Sequence, residues 1–166
     1  MRLSTVVGVG VSAACLAATA HGVTLGNDAV AQLACPLKIL KVTATYGPAG
    51  AKYKPSFYAD ANPDQKDRLW VAADFENTAD DVITNYSFRV LAWDAGGNEV
   101  FKVDGIYDFP VREKPAMKEW SWEVPGGEKV ARVVFIPLVI SLPGGRKWEA
   151  DESFIANKLA ALREPK

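Results

Sequence analysis

The chain is short of several things on which common activities depend. Among 166 residues there is one histidine, two cysteines and two methionines, and 19 basic side chains stand against 20 acidic ones for a formal charge of −1. A single imidazole excludes a histidine-built metal site, and a hydrolytic triad would have to use that one ring. The balanced charge carries no basic stripe for a phosphate backbone, which excludes nucleic acid as the expected partner. No G-x-S-x-G, no G-x-x-x-x-G-K-[ST] and no C-x-x-C occurs, and the acidic turns around Asp80, Asp81 and 94–99 lack the spacing of a calcium loop. Glu119 and Glu123 share one strand face and read as solvated. The sequence points to a non-enzyme with no cofactor.

What is present begins with the first twenty residues. Arg2 precedes an uncharged run over 3–20 that closes on Ala18-Thr19-Ala20, the small-x-small pattern of a signal-peptidase site. The expectation is a cleaved leader over 1–20 and a secreted or periplasmic protein of bacterial type. Two alternatives attach to this region. Cys15 follows Ser12-Ala13-Ala14 and loosely resembles a lipoprotein acylation site. Cleavage before His21 also produces an N-terminal His-Gly, which resembles the copper-chelating start of lytic polysaccharide monooxygenases and of some periplasmic copper carriers. Those sites take a second imidazole, which this chain lacks, and Met117 is the only thioether left after cleavage, so His21 is a weak metal candidate and the metal expectation is none. Cys35 is left as one thiol, read as a small buried apolar residue.

The rest reads as an N-terminal extension over 21–36, a sandwich over 37–150 and a C-terminal helix and tail over 151–166. In the extension, 28–33 has the composition of a short helical turn. A half-buried strand is expected over 37–46, followed by an irregular connection over 47–68 that holds Pro48, Pro55 and Pro63 and leaves room for a short edge strand over 54–58. Val71, Ala73 and Phe75 then alternate on one face of a strand over 69–75, and Tyr86, Phe88, Val90 and Ala92 on one face of a strand over 82–94. Leu91 and Trp93 make the opposite face of that strand apolar, which calls for cover by a loop or the C-terminal segment. Asp94-Ala95-Gly96-Gly97-Asn98 turns the chain into a hairpin partner over 99–103.

Trp120, Trp122 and Val124 share a face before the Pro125-Gly126-Gly127 turn. The run over 130–142 places Val134, Ile136, Leu138 and Ile140 on one face and Val133, Phe135 and Val139 on the other, so it reads as a strand covered on both sides, with Pro137 marking a bulge or a switch of sheet. A last strand is expected over 146–150. Ile155, Leu159 and Leu162 form a helical stripe behind Asp151 or Ser153 as N-cap.

About seven short strands with Gly/Pro turns predict an all-β, antiparallel immunoglobulin-like β-sandwich with a short C-terminal helix. The pattern Phe75-x-Asn77, then Ile83-x-x-Tyr86-x-Phe88-x-Val90-x-Ala92-x-Asp94-x-x-Gly97, resembles small secreted bacterial immunoglobulin-like domains of the FxLYD type over 37–150. That resemblance implies an extracytoplasmic interaction role without established chemistry. The expected function is therefore an exported, non-catalytic binding domain engaging a protein or cell-envelope component, with no membrane span in the mature chain. The alternative is a carbohydrate- or small-ligand-binding domain using the aromatics in and beside the Pro-rich connection, Tyr46, Tyr53, Phe57 and Tyr58, whose rings suit stacking on sugars. Copper binding at His21 is the second alternative.

Overall fold

The computed structural model describes residues 23–31, 34–47, 67–108, 110–112 and 116–163. Nine strands, β1 (Val23–Thr24), β2 (Gly26–Ala29), β3 (Leu37–Gly47), β4 (Arg68–Asn77), β5 (Asn85–Trp93), β6 (Glu99–Tyr107), β7 (Ala116–Trp122), β8 (Arg132–Ser141) and β9 (Lys147–Glu149), precede one helix, α1 (Glu152–Arg163). One sheet runs β1-β3-β4-β7 and the other β2-β8-β5-β6, with β9 also on β8. Hairpin β3–β4 lies in the first sheet and hairpin β5–β6 in the second; β7 then returns beside β4, and β8 beside β5. This is the Greek-key connectivity of an immunoglobulin-like sandwich. Every pairing is antiparallel except β2 on β8.

Alternation dictates the core. Leu69, Val71, Ala73 and Phe75 of β4 face Tyr86, Phe88, Val90 and Ala92 of β5 across the sandwich, and all are buried. Phe88 stacks on Phe135 at 5.1 Å between ring centroids and lies 4.6 Å from Trp120, while Phe75 meets Tyr86 edge-on at 5.4 Å. Such pairs add to the area they remove from water. Among the described residues Asn77 is the one buried polar residue: its Nδ2 donates to the carbonyls of Asp81 and Val111, and its Oδ1 accepts from the Ala79 amide at 2.9 Å. One side chain thereby ties the end of β4 to its turn and to the Ile83–Val111 bridge.

Pro137 does mark a bulge. The β5–β8 register slips between Ser87 and Phe88, leaving Leu138 as the extra residue. The slip inverts the phase, so Val133, Phe135 and Ile140 face the inner core while Val134, Ile136 and Leu138 face outward. The uninterrupted alternation read from sequence had placed Ile140 with Val134; the bulge moves it to the opposite face.

The outward apolar row of the second sheet is covered by α1, as Leu91 and Trp93 demanded. Ile155 is buried, and Phe154, Leu159 and Leu162 pack on Leu91, Trp93, Val134 and Ile136. Asp151 is the N-cap: its Oδ1 accepts from the Ser153 and Phe154 amides at 2.7 and 3.1 Å. At the other end Arg132 donates to the Leu162 carbonyl and to Asp28, each at 2.5 Å, and the Arg163 guanidinium lies 4.9 Å from the Trp93 ring centre.

The segment expected as an extension is part of the sandwich. β1 pairs with Thr45 and Tyr46, the chain crosses between the sheets at Leu25, and β2 pairs in parallel with the first half of β8. The described part of 28–33, residues 28–31, is not helical: Asp28 and Ala29 are strand, and the Val30 amide donates to the Phe135 carbonyl at 3.0 Å. β2 occupies the stretch of β8 that the three-residue β9 leaves uncovered, because β9 reaches only Val139–Ser141. The possible edge strand over 54–58 lies outside the described residues. Among the described residues no helix is long and apolar enough to cross a membrane.

Candidate functional site

Two long rims separate the sheets, and they differ. Along the β6–β7 rim, Phe101 of β6 lies 5.8 Å from Trp122 of β7, Tyr107 meets Trp120 edge-on at 6.5 Å, and the Lys118 ammonium sits 4.9 Å from the Tyr107 ring centre. Aromatic side chains close this rim. Along the opposite rim, between β2 and β3, a groove of about 390 Å³ is lined by Asn27, Asp28 and Ala29 on one side and Ile39 to Thr43 on the other. That volume falls in the range of ligand sites.

The local sequence explains the groove. In Leu37-Lys38-Ile39-Leu40-Lys41-Val42-Thr43-Ala44, the inward positions are Leu37 and Ile39 and then Val42 and Ala44, so the two-residue phase slips at Leu40. The β3–β4 register shifts at the same point, and the bulge pushes Leu40 out to 47% exposure beside the exposed Lys41. Leu40 is one of only two large apolar side chains exposed among the described residues, the other being Ile106.

The main chain also faces this groove. The Leu25 amide donates to the Ala44 carbonyl at 3.0 Å, so by the alternation of an antiparallel ladder Val42 also turns its N–H and C=O away from β4. On β2, Gly26 and Val30 donate to Ala131 and Phe135, which leaves Asn27 and Ala29 with main-chain groups directed away from β8. The groove thus offers an apolar knob, a cation and main-chain donors and acceptors.

The residues singled out from sequence distribute otherwise. Tyr46 is half-buried against the inner core, and its ring covers Gly127 so closely that a Cβ there would stand 2.2 Å from the ring. Burial, then the carboxylates of Asp67 and Glu128, raise its phenol pKa. Tyr46 thus packs one side of its ring over the 3₁₀ turn at Gly127–Lys129. Tyr53, Phe57 and Tyr58, and likewise His21 and Cys15, lie outside the described residues. Trp120 and Trp122 belong to the core edge, as their alternation implied.

The other chemically suggestive groups have structural partners. Asp94 accepts from the Gly96 and Asn98 amides at 2.8 and 2.9 Å and from the Asn98 side chain, bonds that lower its pKa and define the β5–β6 turn. Asp81 pairs with Arg146. Cys35 is buried and donates to the Leu37 carbonyl at 3.3 Å, and burial pushes its thiol up to about 11, which makes it a poor nucleophile at neutral pH. Among the described residues no three of His, Cys, Asp and Glu gather as metal ligands.

Sequence reasoning passed over Leu40, although the slip from Ile39 to Val42 was a readable signal. It also passed over the outer face of the first sheet, where Trp70 is 6% exposed and its Nε1, with Thr45 Oγ1, is buried without a hydrogen-bond partner. Glu119 borders this spot, and burial raises its pKa. The void there is about 10 Å³, water-sized at most. Comparison with family models, with curated proteins and with solved structures finds no match to this chain.

Proposed function

We propose that the protein is an exported, non-catalytic binding domain that engages a protein or cell-envelope component through the β2–β3 groove. The observation that carries this reading is the bulge-driven display of Leu40 and Lys41 over a 390 Å³ groove edged by outward-facing main-chain groups. An extended polypeptide has the chemistry to use all three features, with a side chain against Leu40, an acidic group on Lys41 and its own amides on the strand edges. The leader over 1–20 supports an extracytoplasmic setting, and the FxLYD-type pattern supports an interaction role.

Capture from the envelope fraction tests this directly. Wild-type protein is expected to retain a partner that Leu40→Glu loses, with the variant folding normally because Leu40 is outside both core clusters. Equal capture by both proteins would remove the groove from the reading. N-terminal sequencing of the exported chain, expected to begin at His21, tests the export step separately.

A further inference from the structure

The outer edge of β6 has a self-complementary pattern. β6 is the last strand of its sheet, and no described strand pairs with its far side. The Trp93 carbonyl accepts from the Ala131 amide at 2.8 Å, so odd positions of β5 turn their main-chain groups toward β8 and even positions toward β6. The β6 residues opposite those even positions, Phe101, Val103 and Gly105, therefore bond inward. Lys102, Asp104 and Ile106 direct their N–H and C=O groups away from the sheet. All three are exposed, Ile106 at 72%. The ladder over these residues is regular, since the register shift beside Ala92 and Trp93 falls at Val100.

We propose that β6 pairs antiparallel with β6 of a second copy, centred on Val103, joining the two outer sheets about a twofold axis. In this register Lys102 lies opposite Asp104 of the second copy, and Asp104 opposite Lys102, so the two outward ion pairs are generated by symmetry. The registers centred on Lys102 or on Asp104 instead oppose two lysines or two aspartates. Charge therefore selects the Val103 register. Asp104 is held for this role by Arg89, which donates to both carboxylate oxygens at 2.7 and 2.8 Å, while the Asp104 side chain stays 49% exposed with lone pairs to spare.

Phe101 lies opposite Gly105 of the second copy. At Gly105 a Cβ would stand 2.5 Å from Phe88 Cζ, so the chain's own Phe88 ring keeps this position bare and no side chain there obstructs the paired strand. The main chain supplies the bonds, and Lys102 and Asp104 supply the register.

Sedimentation equilibrium on the purified protein and two variants tests the pairing. Lys102→Pro removes one outward amide and no bond to β5. Wild type is expected to approach twice the monomer mass as concentration rises, and Lys102→Pro to associate at least tenfold more weakly with an unchanged near-ultraviolet circular dichroism spectrum. In a Cys15→Ser, Cys35→Ala background, Val103→Cys is expected to oxidise to a cross-linked dimer because the residue faces itself across the axis, whereas Ile106→Cys is not. A wild type that stays monomeric throughout, a folded Lys102→Pro that associates as well as wild type, or cross-linking of Ile106→Cys as readily as Val103→Cys would overturn the proposal. The cysteine pair decides the matter should Lys102→Pro fail to fold.

Discussion

Of the two rims of the sandwich, one is closed and the other carries a groove. At the β6–β7 rim Phe101, Val103, Tyr107, Trp120 and Trp122 pack against the core, and the Phe88 ring fills the space beside Gly105. At the β2–β3 rim the inward residues are Leu37, Ile39, Val42 and Ala44, smaller side chains interrupted by a bulge, and the facing strand is the four-residue β2. Side-chain volume at an opening thus decides whether two sheets seal or leave a recess. The closed rim packs against the core, and the open one is where the proposed recognition falls.

Substitution in the core behind the closed rim is expected to have the largest effect. Phe88→Ala removes a 1% exposed ring that contacts Trp120, Phe135 and Tyr86, and should cost about 3–5 kcal/mol in denaturant unfolding. A loss under about 1 kcal/mol would mean that the aromatic cluster behind the closed rim is not a stability element. Next comes Asn77→Ala, which removes the side-chain bonds to the Asp81 and Val111 carbonyls and to the Ala79 amide and should cost about 1–3 kcal/mol, read in the same way.

Ionisation of Cys35 sets a smaller effect with a defined sign. Its folded-state pKa lies near 11, above the ordinary thiol value of about 9. The folded chain therefore binds the extra proton, and this contribution is fully present below about pH 9 and is lost as pH rises toward about 11. Thiol labelling of native protein at neutral pH should be slow and become complete only on unfolding; rapid native labelling would contradict the burial. The smallest effect on stability belongs to the open rim. Leu40→Glu should shift unfolding by no more than about 0.5 kcal/mol while abolishing partner capture.

Much of this architecture was legible because local pattern and tertiary demand agree in it. The alternation of β4 and β5, the disruption at Pro137, and the need of Leu91 and Trp93 for cover by the Asp151-capped helix all follow from residue period and chemistry. β1 and β2 were not legible. Val23–Thr24 and Gly26–Ala29 are too short to display a period, and they are strands only because Tyr46 and the first half of β8 offer them an edge. The face of Ile140 was misread for a related reason, since a proline announces a bulge without saying which residue is extra. For the site, ring chemistry drew attention to Tyr46, whose ring the fold uses to cover Gly127. The knob at Leu40 is marked only by a one-residue slip of phase, and that slip acquires meaning once β2 is known to lie across from it.

The division between a structural rim and a recognition rim is tested most directly by site-specific photo-cross-linking in the envelope, from a photoreactive residue at position 40 or at position 118. Leu40 stands on the open rim, and Lys118 over Tyr107 on the closed one. A heterologous adduct from position 40 and none from position 118 is the expected result. Adducts from position 118 alone, or equal yields from both positions, would contradict it.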